Sequence, residues 1–184
     1  MPVLEGRKKM AQKKEQTPAY SAEMQAKIRQ METELKKFTD AQATANKNLA
    51  TFDELDFKVF SHRDWTRLHE SHHKDVKVNW PDGHTTSGIE RHIKDLDDMF
   101  VYAPDTSIGV HPVKIGSNDW TAVIGVMTGT FSLPMPGGDG KFIQPTGKKF
   151  SITMCTVGHW KDGVMVEEWL FWDNMTYMKQ IGLA

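Results

Sequence analysis

The sequence predicts an α+β fold in which helices come first, a curved antiparallel sheet follows and a short helix ends the chain. Two observations support this prediction. Apolar residues recur at helical spacing up to about residue 100, and from residue 106 onward they alternate as they do along strands. The composition is typical of one globular domain with a core, since the 184 residues are 39% hydrophobic and 26% charged.

The N-terminal part of the sequence differs from the rest in charge. Residues 1–48 carry ten Lys and Arg against six Asp and Glu. Residues 1–18 lack apolar periodicity, which predicts a disordered basic tail; the alternative is a segment that contacts an anionic surface. Residues 19–47 are predicted to form a helical extension, and the compact domain is expected over residues 48–184.

The predicted N-terminal helix carries a narrow apolar stripe. Its members follow the 4-3-4-3 spacing of a heptad seam: Met24, Ile28, Met31, Leu35 and Phe38. A stripe of this kind needs an apolar partner. The sequence leaves two partners open, namely the surface of the domain itself and a second copy of the chain.

Three helices are predicted within the domain before the sheet. The first covers residues 49–60, where Leu and Phe recur at helical spacing. The second starts at Ser61 or Asp64 and ends by His73, because residues 76–80 alternate like a strand. A capping box over residues 87–90 predicts the start of the third helix.

The C-terminal half of the sequence predicts four long strands and a final helix. The strands are expected over residues 107–115, 119–131, 149–160 and 164–172. A short helix over residues 174–180 follows, with Asp173 or Asn174 as its N-cap.

Residues 69–73, His-Glu-Ser-His-His, match the H-E-x-x-H pattern of zinc peptidases. That chemistry needs a helix long enough to hold both motif histidines on one face beneath the metal. Here the strand pattern begins only three residues later. We interpret the match as a coincidence and expect no metal in this protein.

The sequence excludes several kinds of partner. No apolar run approaches the roughly 20 residues that cross a bilayer, and basic residues are not interleaved with aromatic ones as in nucleic-acid binders. We therefore expect neither membrane nor nucleic-acid binding. The N-terminus has no apolar signal core and Cys155 is the single cysteine, which together predict a cytoplasmic protein.

Several segments, taken in order along the chain, carry a family resemblance: 74–76, 87–90, 102–105, 129–131, 145–148 and 161–183. With these segments, residues 48–184 resemble the SnoaL-like polyketide cyclase family of the nuclear-transport-factor-2-like superfamily. The resemblance implies a cone, in which a strongly bent sheet and N-terminal helices enclose a pocket for a small, often apolar molecule. It also implies a homodimer through the convex face, and a ring-closing aldol reaction without metal or cofactor.

The resemblance changes the expected site. Alignment places Leu170 where the aldol cyclases have their catalytic carboxylate, and Met154 and Thr156 at inward positions of the preceding strand. A leucine cannot transfer a proton, so the usual acid is replaced. Strand alternation also places Val166, Glu168 and Trp172 on the pocket side. We expect Glu168 to have a raised pKa and to act as general acid/base; the alternative is that it pairs with a buried group and holds the sheet together.

Three further residues are candidates for the site. His111 is a second catalytic candidate, although strand alternation leaves its face undecided. Asp173 stands where the family commonly has an acid, but helix capping explains it as well. Trp80 is expected to line the pocket, where an aromatic ring can stack on a flat ligand.

The sequence therefore predicts a cofactor-free cyclase, isomerase or lyase that acts on a small hydrophobic carbonyl compound. The alternative is a non-catalytic protein that binds a small apolar ligand.

Overall fold

The computed structural model describes residues 20–138 and 140–184. The chain divides into two compact units, the first ending at Lys36 and the second spanning Lys37–Ala184. The predicted tail, residues 1–18, lies outside the described residues. The predicted start of the domain at residue 48 stays a prediction.

The first helix, α1, spans Ala22–Glu54 and continues into a π-helical turn, Leu55–Phe60. Within the second unit, α1 buries Ala45, Asn48 and Phe52, whose spacing of three and four residues marks one helical face. Four of the five seam residues are exposed: Met24, Met31, Leu35 and Phe38. The partner of this stripe therefore stays a prediction.

A 3-10 helix, Trp65–Glu70, stands where the sequence predicted a regular second helix. The helix α2 spans Ile89–Tyr102 and follows Gly88, whose φ of 93° is readily adopted only by glycine. The predicted capping box is wrong, because Ser87 pairs with Lys77 in the sheet and makes no side-chain cap. The helix α3 spans Asn174–Ile181.

The main sheet contains seven strands in the order β2-β1-β9-β8-β5-β3, and β4 pairs with β5. Two short strands, β6 and β7, form a separate pair. In chain order the strands are β1 His72–Asn79, β2 Thr85–Ser87, β3 Ser107–Ile108, β4 Val113–Ser117, β5 Trp120–Thr130, β6 Met135–Pro136, β7 Phe142–Ile143, β8 Lys149–Lys161 and β9 Val164–Trp172.

The predicted α+β class is confirmed: an N-terminal helix precedes a curved sheet that does not close into a barrel. The sheet is mixed rather than antiparallel, because β1 pairs in parallel with β9. The strand predicted over residues 107–115 is divided into β3 and β4. The segment between them contains Pro112, which has no backbone N–H for a ladder bond.

A register shift in the pairing of β8 with β9 lies between His159 and Trp160. On β9 this shift reverses the side-chain alternation. Met165 is fully buried and Val166 is not, so the expected inward position of Val166 is wrong. Such irregularities redirect side chains, and they recur next to active sites.

The core lies between the sheet and the helices of the second unit. Its buried Trp160 donates a 2.8 Å hydrogen bond from Nε1 to Oγ1 of Thr121, which satisfies the polar edge of the ring. Among the residues that the structure describes, no helix is both long and apolar enough to span a bilayer.

Candidate functional site

A mostly apolar cavity with a free volume of about 40 Å³ lies between the sheet and the helices. This is room for no more than a few water molecules. The five residues that the sequence assigned to a pocket all stand in the cavity wall: Trp80, Met154, Thr156, Leu170 and Trp172. Thr156 and Leu170 are opposite one another on β8 and β9.

A second pocket, of about 130 Å³, adjoins the cavity. Four side chains belong to both spaces and separate them: Trp80, Met99, Met127 and Trp172. The two indole rings meet edge to face, with centroids 6.4 Å apart. Methionine side chains rotate easily, so a change of their rotamers would connect the two spaces.

Glu168 belongs to a buried cluster with two histidines. Its Oε1 lies 3.0 Å from Nε2 of His92 and 3.6 Å from Nε2 of His72. These side chains come from β9, α2 and β1, and none is more than 4% exposed. Burial by itself favours the neutral carboxyl, but the two histidines outweigh it and lower the pKa of Glu168. The expectation of a raised pKa is wrong, and Glu168 is a buried carboxylate beside two histidines.

His111 lies between two carboxylates. Its Nδ1 is 2.8 Å from Oδ1 of Asp53, and its Nε2 is 2.8 Å from Oδ2 of Asp56. Lys114 donates a hydrogen bond of 2.5 Å to the other oxygen of Asp53. Because both ring nitrogens face carboxylate oxygens, this arrangement binds one proton more than a neutral imidazole carries.

The two carboxylates around His111 differ in their pKa. Burial raises the pKa of Asp56 despite the hydrogen bond to His111, and the charge of Glu168 adds to the rise. Asp53 is less buried, and Lys114 and His111 together lower its pKa. Two neighbouring carboxylates with opposite shifts are typical of acid/base sites.

Asp56 is the member of this second group that lines the cavity. It lies in the π-helical turn, a local structure often found at functional sites. Lys114, Asp53, His111 and Asp56 form a continuous chain of hydrogen bonds from the protein surface to the cavity. The arrangement can carry a proton to and from a bound molecule.

The other two predicted catalytic residues, His111 and Asp173, do not line the cavity themselves. His111 lies in the segment between β3 and β4 rather than on a strand, and it reaches the cavity only through Asp56. Asp173 caps α3, since its Oδ1 accepts hydrogen bonds from the backbone N–H of Met175 and of Thr176. Asp173 is exposed and does not line the cavity.

Sequence reasoning did not identify Asp56, His72 or His92 as site residues. A signal existed for two of them. Asp56 follows Phe52 by four residues, and His92 precedes Leu96 by four, so each is a polar residue on an apolar helical face. No periodic signal marks His72, because it stands at the start of a strand.

The H-E-x-x-H residues do not converge on a metal-binding geometry. His69 and Glu70 lie in the 3-10 helix, where Glu70 bonds to Arg67. His73 is on β1 and its side chain is only partly exposed. The buried member of this stretch is His72, which the motif does not include.

The stability of the protein is expected to fall as pH rises through the pKa of His111. Burial disfavours the imidazolium, but Asp56 and Asp53 outweigh this effect and raise the pKa of His111 above its ordinary 6.5. Below pH 6.5 both the folded and the unfolded chain carry the proton, and the stabilisation is complete. Above it the unfolded chain loses the proton first, and the stabilisation is lost as pH passes the folded pKa.

Urea unfolding on both sides of pH 6.5 measures this loss. His111→Gln should flatten the profile, whereas His159→Gln, on the outer face of the sheet, should keep the wild-type slope. If the stability of His111→Gln depends on pH as steeply as that of the wild type, His111 is not the cause of the pH dependence.

Comparison with known proteins adds a family. A model of the SnoaL-like polyketide cyclases matches residues 51–181, whereas no curated protein sequence matches the chain significantly. A SnoaL-like polyketide cyclase, so assigned, from Jannaschia sp. CCS1 is 20% identical, with a TM-score of 0.67 over 77% of this chain and 95% of that one. IdmH from Streptomyces antibioticus, assigned as a polyketide cyclase, is 24% identical, with a TM-score of 0.63 over 73% and 98%.

The fold is shared with a protein assigned to other chemistry. AclR from Streptomyces galilaeus, assigned as a hydroxylase, is 17% identical, with a TM-score of 0.63 over 76% of this chain and 83% of that one. Likeness at these identities shows the fold alone. The family model covers well over half of the chain, and this chain belongs to the SnoaL-like polyketide cyclase family.

Proposed function

We propose that the protein catalyses proton transfer next to the carbonyl group of a small hydrophobic compound, in a cyclisation, isomerisation or elimination. Asp56 is the general base that removes the proton and the acid that returns it. The observation that carries this proposal is a buried carboxyl group, tuned by His111, that faces an apolar cavity.

The cavity contains a second polar group that suits such a reaction. Glu168, His72 and His92 also line it, so one small bound molecule can meet Asp56 and this cluster together. Proton removal next to a carbonyl places negative charge on the carbonyl oxygen, and a histidine N–H of this cluster can stabilise that charge by donating a hydrogen bond. Two convergent polar groups favour an enzyme over a passive binding protein.

In this proposal Asp56 takes the role that the family's cyclases give to a carboxylate on the last long strand. Leu170 stands in the cavity wall without a group that can transfer a proton. Glu168 does not replace it as the base, because the two neighbouring histidines lower its pKa and so weaken it as a proton acceptor. Asp56 approaches from the helical side and keeps a raised pKa.

The free volume of the cavity, about 40 Å³, is smaller than a ring-sized molecule, so binding of a ring requires the neighbouring pocket as well. Met99 and Met127 lie at the boundary and can rotate without breaking a hydrogen bond. A single aromatic ring bearing a carbonyl group is the substrate size that this arrangement favours.

Proton exchange in a model ketone tests the proposal. Acetophenone in D₂O, followed by NMR, should exchange its methyl protons faster with the wild-type protein than with buffer. If Asp56→Asn loses this acceleration, the result would support catalysis by Asp56. Binding of the ketone without exchange would instead support the alternative, a non-catalytic binding protein.

We also propose a homodimer through the outer face of the sheet. Trp120 and Phe171, on β5 and β9, are exposed there, and an exposed apolar face of a sheet is typical of an interface. Light scattering should show a dimer for the wild type and a monomer for Trp120→Glu/Phe171→Glu. If Met24→Glu/Met31→Glu dissociates the dimer instead, the helical seam is the interface and the proposal is wrong.

A further inference from the structure

The buried side chains of His72, His92 and Glu168 form a group that meets the geometric requirements of a metal site. One ligand atom from each lies within 4.8 Å of the other two. The three residues come from β1, α2 and β9, so packed secondary structure holds each of them in place. In the described part of the chain, this is the one such group of histidine, cysteine and carboxylate side chains.

Several polar atoms of the group have no hydrogen-bond partner, although the side chains are at least 96% buried. The unpaired atoms are Nε2 of His72, Nδ1 of His92 and Oε1 of Glu168. Nε2 of His92 lies 3.0 Å from Oε1 of Glu168, but the two atoms are not aligned for an N–H···O bond. Buried polar atoms without partners are rare, and a bound ion is one of their standard explanations. An ion here would satisfy Nε2 of His72 and Oε1 of Glu168.

Ser71 determines which ring nitrogen of His72 carries the hydrogen and which one presents a lone pair to Glu168. The Ser71 hydroxyl donates to the carbonyl oxygen of Leu68 at 3.1 Å, and its oxygen lies 2.9 Å from Nδ1 of His72. Because a hydroxyl has a single hydrogen, Nδ1 of His72 is the donor in the second contact. Nε2 then presents its lone pair to the carboxylate, 3.6 Å away. A histidine oriented through its other nitrogen is the usual arrangement of a metal ligand.

The spacing of the group suits an ion between the ligands. In a tetrahedral site with bonds of about 2.0–2.1 Å, the ligand atoms are about 3.4 Å apart. The distances from Oε1 of Glu168 to the two Nε2 atoms, 3.0 and 3.6 Å, fall on either side of this value. Two imidazoles and one carboxylate form a ligand set for zinc and for other divalent ions of the first transition series.

We propose that His72, His92 and Glu168 bind one divalent transition-metal ion whose remaining coordination position faces the cavity. All three residues line the cavity, whose volume accommodates a metal-bound water or a carbonyl oxygen. The ion would polarise that oxygen while Asp56 moves the proton, a consequence that rests on the proposed function. The inference departs from the cofactor-free chemistry that the family resemblance implies.

Zinc binding by the full-length protein tests this inference. Protein stripped with a chelator is titrated calorimetrically with Zn²⁺, and Co²⁺ is added in parallel to read the coordination geometry from its visible spectrum. We expect one equivalent per chain and a tetrahedral or five-coordinate Co²⁺ spectrum. His92→Gln should lose stoichiometric binding, and Ser71→Ala should bind zinc about 10- to 100-fold more weakly.

His69→Gln is the matched control, since His69 is an exposed histidine of the H-E-x-x-H stretch. Its zinc affinity should equal that of the wild type. If the wild type binds no stoichiometric zinc, or if His69→Gln rather than His92→Gln loses it, the inference is overturned. Thermal unfolding shows whether each variant folds; if His92→Gln does not fold, Ser71→Ala and the wild-type Co²⁺ spectrum still decide.

These measurements contain no carbonyl compound, so they separate the two proposals. Zinc binding without ketone exchange would leave the metal site standing and remove the proposed function. If the protein binds no zinc, and ketone exchange is as fast with chelator as without it, the proposed function stands and the metal site is removed.

Discussion

Asp56→Asn is expected to slow the exchange of acetophenone protons by about 100- to 10,000-fold, the usual contribution of a positioned general base. The amide keeps the shape of the side chain and its contact with His111 but cannot accept the proton. The measurement is the exchange rate by NMR at saturating ketone. Asp98→Asn, an exposed residue of α2, is the control and should exchange at the wild-type rate.

The pH dependence supplies a second readout for Asp56. A base must be deprotonated to act, and burial raises the pKa of Asp56 above the ordinary 3.8. The exchange rate should therefore fall as pH decreases, and the fall should begin at a higher pH than for an ordinary aspartate. A wild-type rate in Asp56→Asn, or an acidic limb that persists unchanged in it, would remove Asp56 from the reaction.

Glu168→Gln is expected to destabilise the metal-free protein by about 3–5 kcal/mol, as in other buried ion pairs from which one partner is removed. The amide removes the negative charge that faces the buried ring of His92, 3.0 Å away. Urea unfolding in the presence of a chelator measures the change.

The neighbouring residue offers a matched control. Glu167 is on the same strand, but its carboxylate is partly exposed and pairs with Lys77 at 2.7 Å. Glu167→Gln should cost less than about 1 kcal/mol, the usual range for exposed pairs. Equal losses in the two variants would show that Glu168 contributes no more than a surface carboxylate.

Replacement of the whole buried group separates its electrostatic contribution to stability from its contribution to packing. A triple variant, His72→Phe/His92→Leu/Glu168→Met, should recover much of the stability that Glu168→Gln loses, because no buried charge remains unpaired. The same variant should bind no zinc. If it is less stable than Glu168→Gln, packing rather than charge dominates at this position.

Local patterns in the sequence were sufficient to predict most of the helices and strands. Alternation over residues 119–131 and 149–160 predicts β5 and β8 nearly to the residue, and Asp173 is the N-cap of α3 as one of two predicted candidates. These predictions depend on side-chain period and on capping, which short segments specify by themselves. The inner positions of Thr156 and Glu168 also required the family alignment, which set Leu170 as an inward residue.

Other features were decided by contacts between distant segments. The parallel pairing of β1 with β9 joins residues about 90 positions apart, and no local pattern reports it. The shift at Trp160 that turns Met165 rather than Val166 inward is likewise a property of two paired strands. The direction in which the pKa of Glu168 is shifted depended on which residues came to lie beside it.

The sequence by itself determined the α+β class and the order of most elements, because hydrophobic period follows directly from residue order. The family resemblance, carried by the sequence, added the apolar wall that contains Met154, Leu170 and Trp172. Only the tertiary structure decided which polar groups enter that wall. It brings His72 and His92 to Glu168, and it places Asp56 against His111. Each of these contacts joins residues that are far apart in the chain, so their chemistry exists only once the sheet and the helices have packed together.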